Sequence, residues 1–153
     1  MTKSRAAIFD GIGKPLRIGE IDVDDPKAGE VLIKYDATGL CHTEIWYMSG
    51  GDTTTRDGSI LGHEGCGTVV KVGEGVSEFA PGDRVVPIYI PECGQCRECK
   101  SGITNLCSAL DDAYFGGCMN DGTVRFHEHG KDLHHFMLTS TFSQFSVVHQ
   151  EAV

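Results

Sequence analysis

Short apolar runs alternate with polar breaks along this chain, and the period of the runs is closer to two than to 3.6. Arg5 to Phe9, Leu16 to Val23 and Glu30 to Ala37 each read as a strand. Turn chemistry separates them, in Gly11-Ile12-Gly13-Lys14-Pro15 and in Asp24-Asp25-Pro26-Lys27-Ala28-Gly29. Val31-Leu32-Ile33-Lys34-Tyr35 carries the β-branched and aromatic residues that suit a half-buried pleated surface. His42 to Met48 predicts a short helix, stopped by Ser49-Gly50-Gly51. Asp52 to Ser59 predicts a surface loop, and Gly65 to Val72 a strand. Arg84 to Ile90 reads as a further strand after the Pro81-Gly82-Asp83 turn, and Phe136 to Val148 returns to alternation. Ser108 to His135 shows no period and is expected to be irregular.

Composition sharpens this picture at two points. Twenty glycines in 153 residues indicate many tight turns, as in a domain of hairpins rather than of long helices. The net charge of −9 sets the surface against phosphate backbones and anionic lipid, so neither nucleic acid nor membrane is an expected partner. No apolar stretch approaches the roughly 20 residues of a membrane span, and Asp10 interrupts the opening run too early for a secretory signal. The expected location is cytoplasmic.

Seven cysteines in such a chain point to metal rather than to disulfides. After Pro91 the core-forming residues nearly vanish, and Glu92 to Cys107 holds Cys93, Cys96, Cys99 and Cys107. Two-residue spacers let a tight turn aim successive sulfurs at one point, and zinc takes four thiolates at about 2.3 Å in a tetrahedron. With all four positions filled by protein, such a site is structural. Free buried thiols and an iron–sulfur cluster are the alternatives. The cluster is disfavoured because the fourth cysteine is close by and is followed by Ser108 rather than proline.

A second constellation is formed by Cys41-His42-Thr43-Glu44 and Gly62-His63-Glu64-Gly65. Either pair alone is more often packed or solvated than metal-bound. Together, at strand-to-turn boundaries with a hydroxyl and acids adjacent, they suggest an open metal site.

The motifs Gly39-Leu40-Cys41-His42-Thr43, Leu61-Gly62-His63-Glu64-Gly65, Val72-Gly73-Glu74-Gly75-Val76 and Pro81-Gly82-Asp83-Arg84-Val85, with the cysteine lobe, resemble zinc-dependent medium-chain alcohol dehydrogenases in order and spacing. The glutathione-dependent formaldehyde dehydrogenase class looks closest, through Pro87-Ile88-Tyr89-Ile90-Pro91 and Thr139-Ser140-Thr141-Phe142-Ser143. The resemblance implies a mainly β, GroES-like distorted barrel over residues 1–153, with short helices and a structural zinc lobe at 92–108. It implies that Cys41 and His63 bind a catalytic zinc, with Glu64 as a nearby or transient ligand. Thr43 would take the substrate's proton, His42 would face the pyrophosphate of NAD or NADP, and Tyr89 and Phe142 would line the substrate pocket. The implied partner is a small-molecule alcohol or aldehyde, and self-association is left open.

Three positions depart from the family pattern. Glu44 stands where aspartate is common, Trp46 where some members carry histidine, and Asp111 where glutathione-dependent members have arginine. Asp111 therefore favours a plain alcohol or aldehyde over the glutathione adduct. The family's third catalytic ligand and its nucleotide-binding domain are expected beyond Val153. Gly65-Cys66-Gly67-Thr68-Val69-Val70 fails as a dinucleotide fingerprint because valine takes the third glycine's place. The chain is thus expected to be the N-terminal part of a longer enzyme and inactive alone. A reading from another class is a non-catalytic, zinc-binding GroES-like assembly module. His127-Glu128-His129 and His134-His135 are expected to be solvated, Cys66 and Cys118 to be small buried apolar groups, and Trp46 to be packed.

Overall fold

The computed structural model describes all 153 residues, in the order β1 (Thr2–Phe9), β2 (Arg17–Val23), β3 (Glu30–Thr38), α1 (His42–Met48), β4 (Ser59–Ile60), β5 (Gly65–Val72), β6 (Arg84–Val85), α2 (Arg97–Lys100), α3 (Asp111–Gly116), β7 (Phe126–Glu128), β8 (Lys131–His135) and β9 (Phe145–His149). Strands β1, β2, β7, β8 and β4 close into a barrel, and β6, β5, β3 and β9 form a second, four-stranded sheet. The fold class is therefore mainly β, as the residue pattern implies. No βαβ unit is among these elements.

Alternation explains the barrel. Along β1, Ser4, Ala6 and Ile8 point inward while Lys3 and Arg5 face water. Ala6 and Ile8 join Ile21, Val23, Ile60, Phe126, Leu133 and Val147 in one core. Each fully buried Val, Ile or Phe contributes roughly 1.5–3 kcal/mol. A second core, of Val31, Ile33, Tyr35, Val69 and Val148, packs beside β3. The β1–β2 hairpin is in continuous register from Thr2↔Val23 to Ile8↔Arg17, whereas the β3–β5 ladder shifts register between Tyr35 and Ala37. That shift bends β3 just before the chain turns into Cys41.

Several expectations change. The strand expected at Arg84 to Ile90 stops at Val85. Pro87 and Pro91 lack the amide a ladder needs, and the Ile88 amide goes instead to the Ala152 carbonyl at 2.7 Å. Phe136 to Phe142 is a largely buried loop, not strand, and the ladder resumes only at Phe145. Met137, Leu138 and Ser140 take left-handed φ values of 49°, 58° and 47°, and the Ser140 hydroxyl accepts the Phe136 amide at 2.8 Å. Conversely, the segment expected to be irregular supplies α3, β7 and β8.

His129 is exposed as expected, but His127 and His135 are not free in solvent. His127 sits between Asp132 (2.9 Å) and Asp24 (3.1 Å), and His135 is buried against the Phe126 ring at 4.5 Å. Immediately before β7 lies a fully buried cation. The Arg125 guanidinium donates Nε to Glu30 Oε2 at 2.9 Å and Nη2 to Glu30 Oε1 at 2.5 Å, with Asp121 at 3.0 Å. Trp46 is 58% exposed rather than packed, and Cys66 and Cys118 are only half-buried.

Candidate metal centres and the catalytic cleft

Two clusters of metal-ligating side chains form, and they use the residues the sequence singles out. The sulfurs of Cys93, Cys96, Cys99 and Cys107 lie within 4.8 Å of one another. None is in a disulfide; the Cys96 and Cys107 sulfurs stand 3.9 Å apart, far beyond an S–S bond of about 2.05 Å. The backbone is wrapped to present amides to these sulfurs. Cys93 Sγ accepts from the Gln95 and Cys96 amides at 3.4 and 3.2 Å, Cys96 Sγ from the Cys99 amide at 3.4 Å, and Cys107 Sγ from the Cys93 amide at 3.5 Å. Those amides pull the Cys93 thiol down to about 7, while desolvation and the neighbouring thiols push Cys99 up to about 12. Four sulfurs this close can all be thiolates only around a cation, so this donor set fits a divalent, sulfur-preferring ion.

The second cluster gathers Cys41 Sγ, a His63 ring nitrogen and a Glu64 carboxylate oxygen within 4.8 Å. Cys41 caps the N-terminus of α1. Glu44, one turn into that helix, returns its Oε2 to the Cys41 amide at 3.0 Å and its Oε1 to His63 Nδ1 at 2.7 Å. Both Glu44 and His63 are buried. With Nδ1–H donated to Glu44, His63 directs Nε2 at the cluster, the arrangement that fixes tautomer and ring angle in metal-binding histidines. The methylene by which Glu44 exceeds aspartate lets one carboxylate serve both the helix cap and the ligand.

His63 is held from behind as well. Gly62 has φ +89°, and a Cβ there would run into Phe142 and Thr141, so only glycine fits. The adjoining amides pair across: Thr141 donates to the Gly62 carbonyl and Phe142 to the Leu61 carbonyl, both at 2.9 Å. Phe142 packs against the barrel core and this backbone, and lines a groove with Leu16, Tyr35 and Leu40 rather than the cavity at His63. Tyr89 does meet that cavity. Its ring stands edge-on to His63 at 5.2 Å, and a space of about 720 Å³ opens beside them, lined also by Thr38, Glu64, Cys66 and Ile88.

Thr43 places its hydroxyl 3.2 Å from Cys41 Sγ, at the edge of the cluster. His42 is exposed and lines an open groove along α1 with Thr43 and Trp46. The sequence reading did not find Phe136, whose ring lies 6.3 Å from His63 and 5.1 Å from Tyr47. It also missed Tyr114 and Phe115, an edge-to-face pair at 5.0 Å on α3. No local pattern marks these three, because long-range folding brings them in.

Residues 27–151 match the alcohol dehydrogenase GroES-like domain. The chain belongs to that family. An S-(hydroxymethyl)glutathione dehydrogenase of Escherichia coli O1:K1 / APEC is 53% identical over 146 residues, covering 95% of this chain but 40% of that protein. Among solved structures, an alcohol dehydrogenase zinc-binding domain protein from Burkholderia ambifaria superposes with a TM-score of 0.90 at 32% identity, over 99% of this chain and 41% of its own. The benzyl alcohol dehydrogenase of Acinetobacter calcoaceticus gives 0.88 at 27% identity, over 99% and 40%. The chain thus spans about 40% of the length of the curated relatives it matches.

Proposed function

We propose that this chain is the metal-holding catalytic domain of a zinc-dependent alcohol dehydrogenase that oxidises a small alcohol to an aldehyde or ketone with NAD or NADP. The observation that carries the reading is the convergence of Cys41, His63 and Glu64, with Glu44 bonded to two members of the set. Cys41 and His63 would hold the catalytic zinc with Glu64 as a nearby, transient donor, and the four lobe cysteines a structural one. When bound, zinc supplies the Lewis acidity that brings an alcohol's pKa toward neutrality.

The chain's own residues do the remaining work. Thr43 accepts the proton of the substrate hydroxyl and passes it outward, and its place beside Cys41 Sγ supports that role. With Trp46 beyond it, the proton meets no ionisable side chain at that position and leaves along the open α1 groove to water. Tyr89 and Phe136 flank His63 with rings and keep water from that side. His42 faces the cofactor's pyrophosphate. The nicotinamide is bound by a separate domain, consistent with relatives more than twice as long as this chain. Seven free cysteines suit a reducing cytoplasm, and no helix is long and apolar enough to cross a membrane.

The test is a Thr43→Ala variant of the full-length protein. Turnover is expected to fall by about 10² or more, with zinc content unchanged. Unchanged turnover would remove Thr43 from the reaction, and absence of zinc from the purified wild type would overturn the reading as a whole.

A further inference from the structure

Two carboxylates stand at the cluster around His63, and the protein holds them by different means. Glu44 is buried and tied by two hydrogen bonds. Glu64 is exposed, and neither a hydrogen bond nor an ion pair ties its carboxylate. Its backbone, by contrast, is fixed. The Glu64 carbonyl accepts the Gly39 amide at 2.7 Å, and Thr141 packs against Gly62 and Gly65, which flank His63 and Glu64. Shape alone therefore places the Glu64 carboxylate within 4.8 Å of Cys41 Sγ and the His63 ring nitrogen.

That shape belongs to Gly39. A Cβ at this position would overlap Glu64 Oε2 and stand only 3.2 Å from the carboxyl carbon. Any other residue here displaces the carboxylate. The backbone does not itself ask for glycine, because thirteen glycines of the chain have positive φ and Gly39 is not among them. The atom in the way is the far end of a flexible side chain, so an alanine methyl is accommodated by swinging Glu64 aside. The open side is the space of about 720 Å³ that Gly39, His63 and Glu64 line and Cys41 does not, so the displaced carboxylate moves away from Cys41.

We infer that Gly39 is a positioning residue: the methyl group it lacks is the seat of the Glu64 carboxylate beside Cys41 and His63. Gly39 touches no metal and acts only through Glu64. A carboxylate tied by hydrogen bonds, as Glu44 is, stays in place. One seated by contact alone is free to leave the cluster and return, which is what a transient donor requires. The inference rests on the dehydrogenase reading for the metal that the donor meets, but not for the seat itself.

The experiment compares the wild-type chain with Gly39→Ala, Glu64→Gln and the double variant, each given one equivalent of zinc to fill the four-cysteine lobe. The first readout needs no further metal. Alkylation of Cys41 by anionic iodoacetate and by neutral iodoacetamide is followed by mass spectrometry, and the ratio of the two rates reports negative charge at the sulfur. A carboxylate this close repels the anion, so the ratio is expected to rise about threefold in Gly39→Ala and in Glu64→Gln. Glu44 is present throughout, and its charge cancels. The second readout is titration with Co²⁺, whose d–d absorption changes with the donors around it. Gly39→Ala should weaken Co²⁺ binding about tenfold or more and give the spectrum of Glu64→Gln. Adding Gly39→Ala to Glu64→Gln should change neither readout. An alkylation ratio or a Co²⁺ affinity that stays at the wild-type value in either single variant would overturn the inference. So would an effect of Gly39→Ala that persists in the Glu64→Gln background, because it would then come from the backbone before Cys41. A wild type that takes up no second metal ion refutes the dehydrogenase reading, and the alkylation ratio then decides by itself whether Gly39 seats Glu64.

Discussion

One carboxylate, Glu44, holds His63 Nδ1 at 2.7 Å with one oxygen and the Cys41 amide at 3.0 Å with the other. Two ligands from separate segments are thereby set by a single buried side chain. Glu44→Gln keeps the shape but removes the charge that orients and enriches the imidazole. Affinity for the catalytic zinc, read by chelator competition against a Cys93→Ser background, is expected to fall about 10–100-fold. Glu44→Asp should recover only part of it, because the shorter arm cannot reach both groups.

Chelation should separate lobe from barrel. Residues 92–108 have almost no apolar core of their own, and their backbone amides are spent on sulfur. Removing metal with a strong chelator is expected to release amide protection across the lobe while β1, β3 and β5 keep theirs. Hydrogen exchange followed by mass spectrometry reads this directly. Uniform loss of protection would show instead that the lobe and barrel fold as one unit.

Arg125 is 0% exposed and shares both Glu30 oxygens. Arg125→Met leaves the Glu30 carboxylate buried without its partner, at a cost of about 3–5 kcal/mol. Urea denaturation measures it. The double variant Arg125→Met, Glu30→Gln should regain much of that loss, since the stranded charge is then gone.

Stability should peak near pH 6.5, because two histidines pull in opposite directions. Burial opposes the charge on His127, but hydrogen bonds and charge from Asp24 and Asp132 outweigh it and raise its pKa above 6.5. Its contribution is complete below about 6.5 and is lost as pH rises through the folded value. His135 is held near 3 by burial and by Arg125. The unfolded chain therefore takes up a proton that the folded one refuses, and stability falls as pH drops from about 6.5 toward 3. In melting temperature against pH, His127→Asn should flatten the alkaline limb alone.

The metal ligands were legible because they depend on spacing. Cys93, Cys96, Cys99 and Cys107 sit in one short segment, and Cys41 and His63 lie at the ends of strands with clear alternation. The first three strands were legible for the same reason. What escaped the sequence depends on partners far along the chain. Strand β7 is three residues long and exists because β2 and β8 pair with it. His127 looks solvated until Asp24 is folded against it. Phe136 to Ser140 carries strand-forming residues, yet left-handed backbone and a buried Ser140 hydroxyl make it a loop. Tyr114 and Phe115 come to line one cavity with Tyr89 only once α3 is folded into place.

The amide of Cys93 reaches the sulfur of Cys107, so the polypeptide that leaves the sheet after β6 doubles back on itself before it enters α3. A detour that begins and ends at one point is a separable part. A short linker could bridge its ends, although Leu106 and Cys107 would take with them one wall of a cavity of about 380 Å³ beside Tyr89. The excursion is thus free to vary in length and sequence, and each change reshapes that cavity while the strands stay put.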